Sequence, residues 1–161
     1  MKQAIAILIG MVLVAGHAAA TSSERGTRTK VTFTNTLPEP HGEATVSASL
    51  DERAERLASL EVRIDGRRIE IPRSAFADLP KPRLDFLEFR YDGVEASDPE
   101  WSVSVEIFYG DPLALPPEEW PNEERRLYSS AVIRIKGARV VGRRLFSVEN
   151  GGSSRYESFE P

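Results

Sequence analysis

The chain has 161 residues, 40% of them hydrophobic and 29% charged, with a formal net charge of −4 and no cysteine. That length suits one domain with enough chain to bury a core. The acidic balance argues against nucleic acid or anionic membrane surfaces as partners, and the lack of Cys removes disulfide staples, thiol catalysis and thiolate metal sites.

Lys2 precedes an almost wholly apolar run from Ala4 to Ala15, which ends in Ala18-Ala19-Ala20. A positive start, a short apolar run and small residues before a cut are the pattern of a secretory signal peptide, with cleavage expected after Ala20. The run is short for a membrane span, and a polar Thr/Ser segment follows it. Loss of Lys2 takes the net charge from −4 to −5. The expected organisation is a signal peptide over 1–20, a flexible arm over 21–30 and a single β-rich domain over 31–161. The expected location is the periplasm or the exterior, without stable membrane insertion of the mature chain.

Val31 to Thr36 alternates and predicts a short edge strand. Leu37 to Gly42, with Pro38 and Pro40, predicts a loop. Ala44 to Leu50 alternates again. Over Asp51 to Ser59, Leu50, Ala54, Leu57 and Ala58 fit one helical face, and Ser49 with Glu52 has capping-box spacing. A short helix is expected there; the alternative is a second hairpin.

Leu60 to Pro72 is the strongest signal. Asp65-Gly66 is a preferred two-residue type I′ turn, because both central positions need positive φ. It sets Ile64 opposite Arg67, Arg63 opposite Arg68, Val62 opposite Ile69 and Leu60 opposite Ile71. The aliphatics then share one face. Glu61, Arg63, Arg68 and Glu70 share the other, where diagonal pairs of unlike charge offset the like pairs. A one-residue slip would turn one strand's aliphatics outward.

Ser74 to Leu79 predicts one helical turn ended by Pro80 and Pro82. Leu84 to Tyr91 is a strand with apolar residues on both faces, which suggests a covered central strand or a bulge near Phe86. Asp92 to Glu100 is expected as an acidic loop. Trp101 to Tyr109 alternates cleanly, with Trp101, Val103, Val105, Ile107 and Tyr109 inward and Ser102, Ser104 and Glu106 outward. Leu113 to Arg126 is a long irregular segment. Two strands follow, Leu127 to Ile135 and Ala138 to Val148. Asn150-Gly151 then predicts another type I′ turn, with Val148 opposite Ser153 and Arg144 opposite Glu157. The expected fold class is mainly β: a single antiparallel β-sandwich, barrel or curved sheet of about eight or nine short strands, with one or two short helices.

The chemical inventory is thin. His41 is the one His beyond the leader, so a Ser-His-Asp arrangement would need it. Zinc ligands are too few, and no nucleophile elbow, P-loop or dinucleotide fingerprint is present. Lys30, Lys81 and Lys136 lack local support for Ser-Lys catalysis. Asp92, Glu95, Asp98 and Glu100 crowd one stretch, but the spacing matches no calcium loop. No catalytic residue, metal or cofactor is assigned. Arg63, Arg67, Arg68 and Arg73, with Arg139, Arg143 and Arg144, could hold an anionic group if their faces adjoin; a solvated sheet face is the plainer reading.

Long loops in compact domains are often functional, which makes Leu115, Glu118, Glu119, Trp120 and Pro121 the candidate interaction loop. The plainer reading has Trp120 and Leu115 packing that loop onto the sheet. Gly151-Gly-Ser-Ser-Arg-Tyr156 resembles the Ser/Gly-rich loop of periplasmic lysozyme inhibitors. The Cys residues typical of that family are missing, and no function is carried over from it. The expected function is an exported, non-enzymatic binding, inhibitory or envelope-accessory module whose partner is an unknown protein or envelope component. The alternative is a carboxylate-dependent hydrolase acting on a cell-envelope glycan, which needs two facing carboxylates. A third possibility is self-association through an edge strand.

Overall fold

The structure, a computed structural model, describes residues 28–95, 98–149 and 152–159. The predicted signal peptide and most of the predicted arm lie outside these residues. Nine strands form two antiparallel sheets, each a meander in chain order. The first sheet holds β1 (Lys30–Thr36), β2 (Glu43–Leu50), β3 (Leu57–Ile64) and β4 (Arg67–Ile69). The second holds β5 (Arg83–Glu95), β6 (Asp98–Tyr109), β7 (Ser129–Lys136), β8 (Arg139–Ser147) and β9 (Ser153–Ser158). Buried side chains from both sheets merge into one core. Val46, Val62 and Ile69 come from the first sheet, and Val103, Val105, Ile107, Ile133 and Ile135 from the second. This is a β-sandwich of two open sheets, not a closed barrel. Among the described residues there is no α-helix, only three short 3-10 turns at Arg73–Ala75, Pro117–Glu119 and Glu124–Leu127.

The β3–β4 hairpin has the register its turn demands: Ile64 opposite Arg67, Arg63 opposite Arg68 and Val62 opposite Ile69. Asp65 and Gly66 both take positive φ, at 52° and 76°. The ladder ends at Ile69, so Leu60 and Ile71 do not pair; Ile71 packs against the core instead. On the outer face Glu61 joins Arg63 at 2.6 Å and Arg68 diagonally at 3.2 Å.

The helix expected over Asp51–Ser59 is replaced by a loop and a strand. The Asp51 carboxylate accepts the N–H of Glu55 at 2.9 Å and that of Arg56 at 3.4 Å, and Ala54 has a φ of 56°. Leu50 then pairs with Leu57 and Ser49 with Ser59, which leaves Ala58 as an extra residue in β3. That bulge turns both Leu57 and Leu60 into the core. The helical face of Leu50, Ala54, Leu57 and Ala58 does not form; β2 and β3 make the alternative, a second hairpin, with a bulge in β3.

The acidic stretch from Asp92 is also no loop. β5 continues to Glu95 and β6 begins at Asp98, so it forms the tip of a hairpin. The bulge expected near Phe86 is present: the β5–β6 register jumps between Arg83 and Glu88. It turns Leu84 and Leu87 inward and frees Phe86 for the opposite face. There Phe86 meets Phe108 and Tyr128, with ring centroids 6.3 and 5.6 Å apart, in a satellite cluster with Leu127, Leu113 and Leu115. Ser102 and Ser104 face away from the core as expected, yet both are buried.

The last hairpin is one residue out of its expected register. Arg144 pairs with Tyr156, Arg143 with Glu157 and Ser147 with Ser153. Asn150 and Gly151 themselves lie outside the described residues. Arg143 lies opposite Ile133 in the β7–β8 ladder, on the inner face and 4% exposed, and the shift sets Glu157 beside it. Its guanidinium takes Asp78 through Nη1 and Nη2 at 2.5 and 2.7 Å, Glu157 through Nε at 2.7 Å, and the Ala75 carbonyl at 3.2 Å. An arginine can be buried there because four of its hydrogen bonds are satisfied.

Candidate functional site

The β3–β4 turn does more than fix a register. It forms one wall of a groove of 550 Å³ at an end of the sandwich, lined by His41, Ile64, Asp65, Arg67, Arg68, Ile69, Trp101, Gly137 and Ala138. Three connections meet there: the β1–β2 loop, the β3–β4 turn and the β7–β8 turn. The β1–β2 loop closes on itself through Leu37 N–H to the Gly42 carbonyl and His41 N–H to the Pro38 carbonyl, each at 3.1 Å. Leu37 is buried and ties this loop to the core. Asp65 then bridges loop and turn. Its Oδ1 accepts the Gly42 N–H at 2.7 Å, and its Oδ2 meets His41 Nδ1 at 2.9 Å. Its backbone N–H reaches the Glu43 carbonyl at 3.0 Å.

These bonds set the chemistry. The Gly42 N–H and then His41 hold the Asp65 carboxyl below its ordinary value. An ionised carboxylate only accepts, so His41 Nδ1 carries a proton and the ring presents Nε2 as its second polar atom. The imidazole packs against Trp101 with centroids 4.8 Å apart and planes at 61°. Ile64 and Ile69 supply a buried apolar floor. The Arg67 side chain makes no hydrogen bond or ion pair among the described residues, and Arg68 is shared with Glu61. The Glu100 carboxylate stands beside Gly137 at the rim. The volume lies within the usual range for ligand sites, roughly 300–1,000 Å³, as does the mix of apolar walls and a few polar groups.

The other sequence candidates disperse. Arg63 is held by Glu61, and Arg73 reaches the Ala58 carbonyl at 3.4 Å. Arg143 is committed to its clamp, Arg144 lies on the outer face of the second sheet, and Arg139 opens β8. The arginines therefore do not gather into one anion site. Lys81 binds both oxygens of Asp111 at 2.9 and 2.7 Å. Asp92 accepts the Ser104 hydroxyl at 3.2 Å. Among the described residues no group of three His, Asp or Glu is placed to hold a metal. Glu61, Asp65 and Asp78 are each pushed down by hydrogen bonds from their partners. That direction suits ion pairing; a general acid needs the opposite.

The loop with Leu115, Glu118, Glu119, Trp120 and Pro121 divides its labour. Leu115 packs on the satellite cluster, but Trp120 does not: it is 56% exposed. Its Nε1–H already donates to the Leu115 carbonyl at 2.8 Å, so its ring is offered as apolar surface. Glu118 and Glu119 are exposed on a 3-10 turn beside it, and Pro121 is partly buried. Arg125, paired with Glu88 and with Glu123, fastens the far end to β5.

Sequence reasoning missed the joining of His41 to Asp65 and the low floor made by Ser104 and Gly142 on the second sheet. A signal for the first was present, since Asp in a turn beside an apolar floor is a ready hydrogen-bond acceptor. The second follows only from the register of β8. Searches against protein-family models, curated proteins and solved structures gave no match.

Proposed function

We propose that this protein is an exported, non-enzymatic binding module that holds its ligand in the groove at the end of the sandwich. The observation that carries this is the joining of an apolar floor, Ile64 and Ile69, and an indole, Trp101, with Arg67 and Arg68 in one 550 Å³ groove. The matching ligand has an apolar body and an acidic end, with the acid directed to the guanidiniums and away from Glu100. Export rests on the leader pattern at Lys2 to Ala20.

The test uses the two tryptophans. In a Trp120→Phe background Trp101 is the one remaining indole. Decanoate should shift its emission and decanol should do so more weakly. The Arg67→Gln, Arg68→Gln double variant should bind decanoate about tenfold more weakly. Emission that stays unchanged through the millimolar range of decanoate would overturn the reading.

A second reading is favoured by the exposed Trp120 ring. Aromatic side chains offered on a pinned loop are typical interface anchors. On this reading the partner is a protein of the same compartment, and removal of residues 113–126 should abolish its capture. Unchanged capture would sink it.

A further inference from the structure

The outer face of the second sheet carries a depression that shares no residue with the end groove. Its volume is 320 Å³, and Arg90, Asp92, Ser104, Val132, Arg134, Arg144 and Tyr156 line it. The strand register explains its shape. One row across the sheet runs Glu106, Val132, Arg144, Tyr156. The next runs Arg90, Ser104, Arg134, Gly142, Ser158. Small residues sit mid-sheet, with Ser104 only 4% exposed, and long side chains rise around them.

The walls carry a net positive charge. Three guanidiniums stand against two carboxylates: Asp92, which accepts the Ser104 hydroxyl, and Glu106, which pairs with Arg90. Arg90 shares one nitrogen with Glu106 at 2.8 Å. The Arg144 side chain is exposed and makes no hydrogen bond or ion pair among the described residues. In a chain of net charge −4 this is a local reversal of sign.

Tyr156 supplies the remaining wall. It is 53% exposed, and its phenol ring leans over Gly142, where any Cβ would collide with it. The missing side chain at Gly142 thus sets an aromatic face beside the arginines.

We infer that this depression binds an oxyanion, a carboxylate or a phosphate, borne on a sugar ring. Guanidinium forks pair with either oxyanion through charge-assisted hydrogen bonds. The exposed tyrosine ring offers the sugar a flat, amphipathic surface. The site rests on charge and register alone and stands whether or not the end groove binds a ligand.

Calorimetric titration of the full mature chain tests it with glucuronate, glucose 6-phosphate, inorganic phosphate and glucose. At least one acidic sugar should bind, and the stronger of the two identifies the oxyanion. Glucose and inorganic phosphate should each bind at least tenfold more weakly, and added salt should weaken the acidic sugar. Arg144→Gln should reduce that affinity about tenfold or more, while Arg67→Gln in the end groove should leave it unchanged. Tyr156→Leu should weaken the sugar and spare inorganic phosphate. Absence of binding by both acidic sugars, or undiminished binding by Arg144→Gln, would overturn the site. Inorganic phosphate binding as tightly as the acidic sugar would overturn the sugar assignment.

Discussion

Arg143 and Asp78 are 65 residues apart in the chain and meet through two parallel hydrogen bonds of 2.5 and 2.7 Å. The arginine is 4% exposed, whereas the Asp78 side chain is 60% exposed. The two ends of this pair are therefore unequal. Removing the aspartate leaves a buried cation with Glu157 as its one remaining carboxylate, while removing the arginine frees carboxylates that water can solvate. Asp78→Asn should cost about 2–3 kcal/mol and Arg143→Met roughly 1–2 kcal/mol in urea unfolding. The reverse order would show that the burial of Arg143 is not what makes the pair matter.

Acid should loosen the same clamp. Hydrogen bonds from Arg143 hold the Asp78 carboxyl below its ordinary value. A carboxyl whose folded value lies below its unfolded one adds stability above the unfolded value, about 3.9 for Asp, and loses it as pH falls through the folded value. Glu61 and Asp65 are displaced in the same direction. The urea midpoint should therefore fall steeply below about pH 4. Asp78→Asn should flatten that acid limb in part, since the other two carboxylates remain. Midpoints for both proteins between neutral pH and the acid limb measure this.

A methyl group at Gly142 has nowhere to go. It would stand 2.6 Å from the Glu157 carbonyl oxygen and against the Tyr156 ring. The ring can swing away, but the backbone of β9 cannot without unpairing. Gly142→Ala should cost roughly 1–3 kcal/mol, read from denaturant unfolding. It should also expose Tyr156 further, which its near-ultraviolet circular dichroism would report.

Asp65 serves the β3–β4 turn in two ways, by tolerating a φ of 52° and by bridging His41 to Gly42. Asparagine keeps the first and can still accept the Gly42 N–H; alanine keeps neither. Asp65→Ala should lower the melting temperature more than Asp65→Asn does. In both variants the His41 ring signals should change in nuclear magnetic resonance spectra. Equal melting temperatures would separate the turn from the His41 bridge.

The sandwich was legible wherever a turn and a core pattern agreed. Asp65-Gly66 worked because Val62, Ile64 and Ile69 admit one register only. Asn150-Gly151 misled by one residue because β9 is exposed along nearly its whole length, so no buried pattern corrects the turn. That slip hid Glu157 as the partner of Arg143, which reads in sequence as one more solvated arginine. Leu50, Ala54, Leu57 and Ala58 suggested a helix, but the Asp51 hydrogen bonds and the bulge at Ala58 make a loop and a strand there. For the site, His41, Arg67, Arg68 and Trp101 each stood out alone. Their assembly depends on a contact between His41 and Asp65, 24 residues apart, that no local pattern encodes.

Because both sheets are meanders, every ladder joins strands that are neighbours in the chain. Such a topology can zip locally, hairpin by hairpin, and should fold fast for an all-β protein. The docking of the two meanders is then expected to be the late event, with the Arg143 clamp belonging to it. Arg143→Met should then speed unfolding while leaving the folding rate nearly untouched. A slowed folding rate in stopped-flow measurements would place the clamp in the nucleus instead. On the expected outcome, the clamp acts as a kinetic lock in a chain without disulfides: it sets how long the folded state survives.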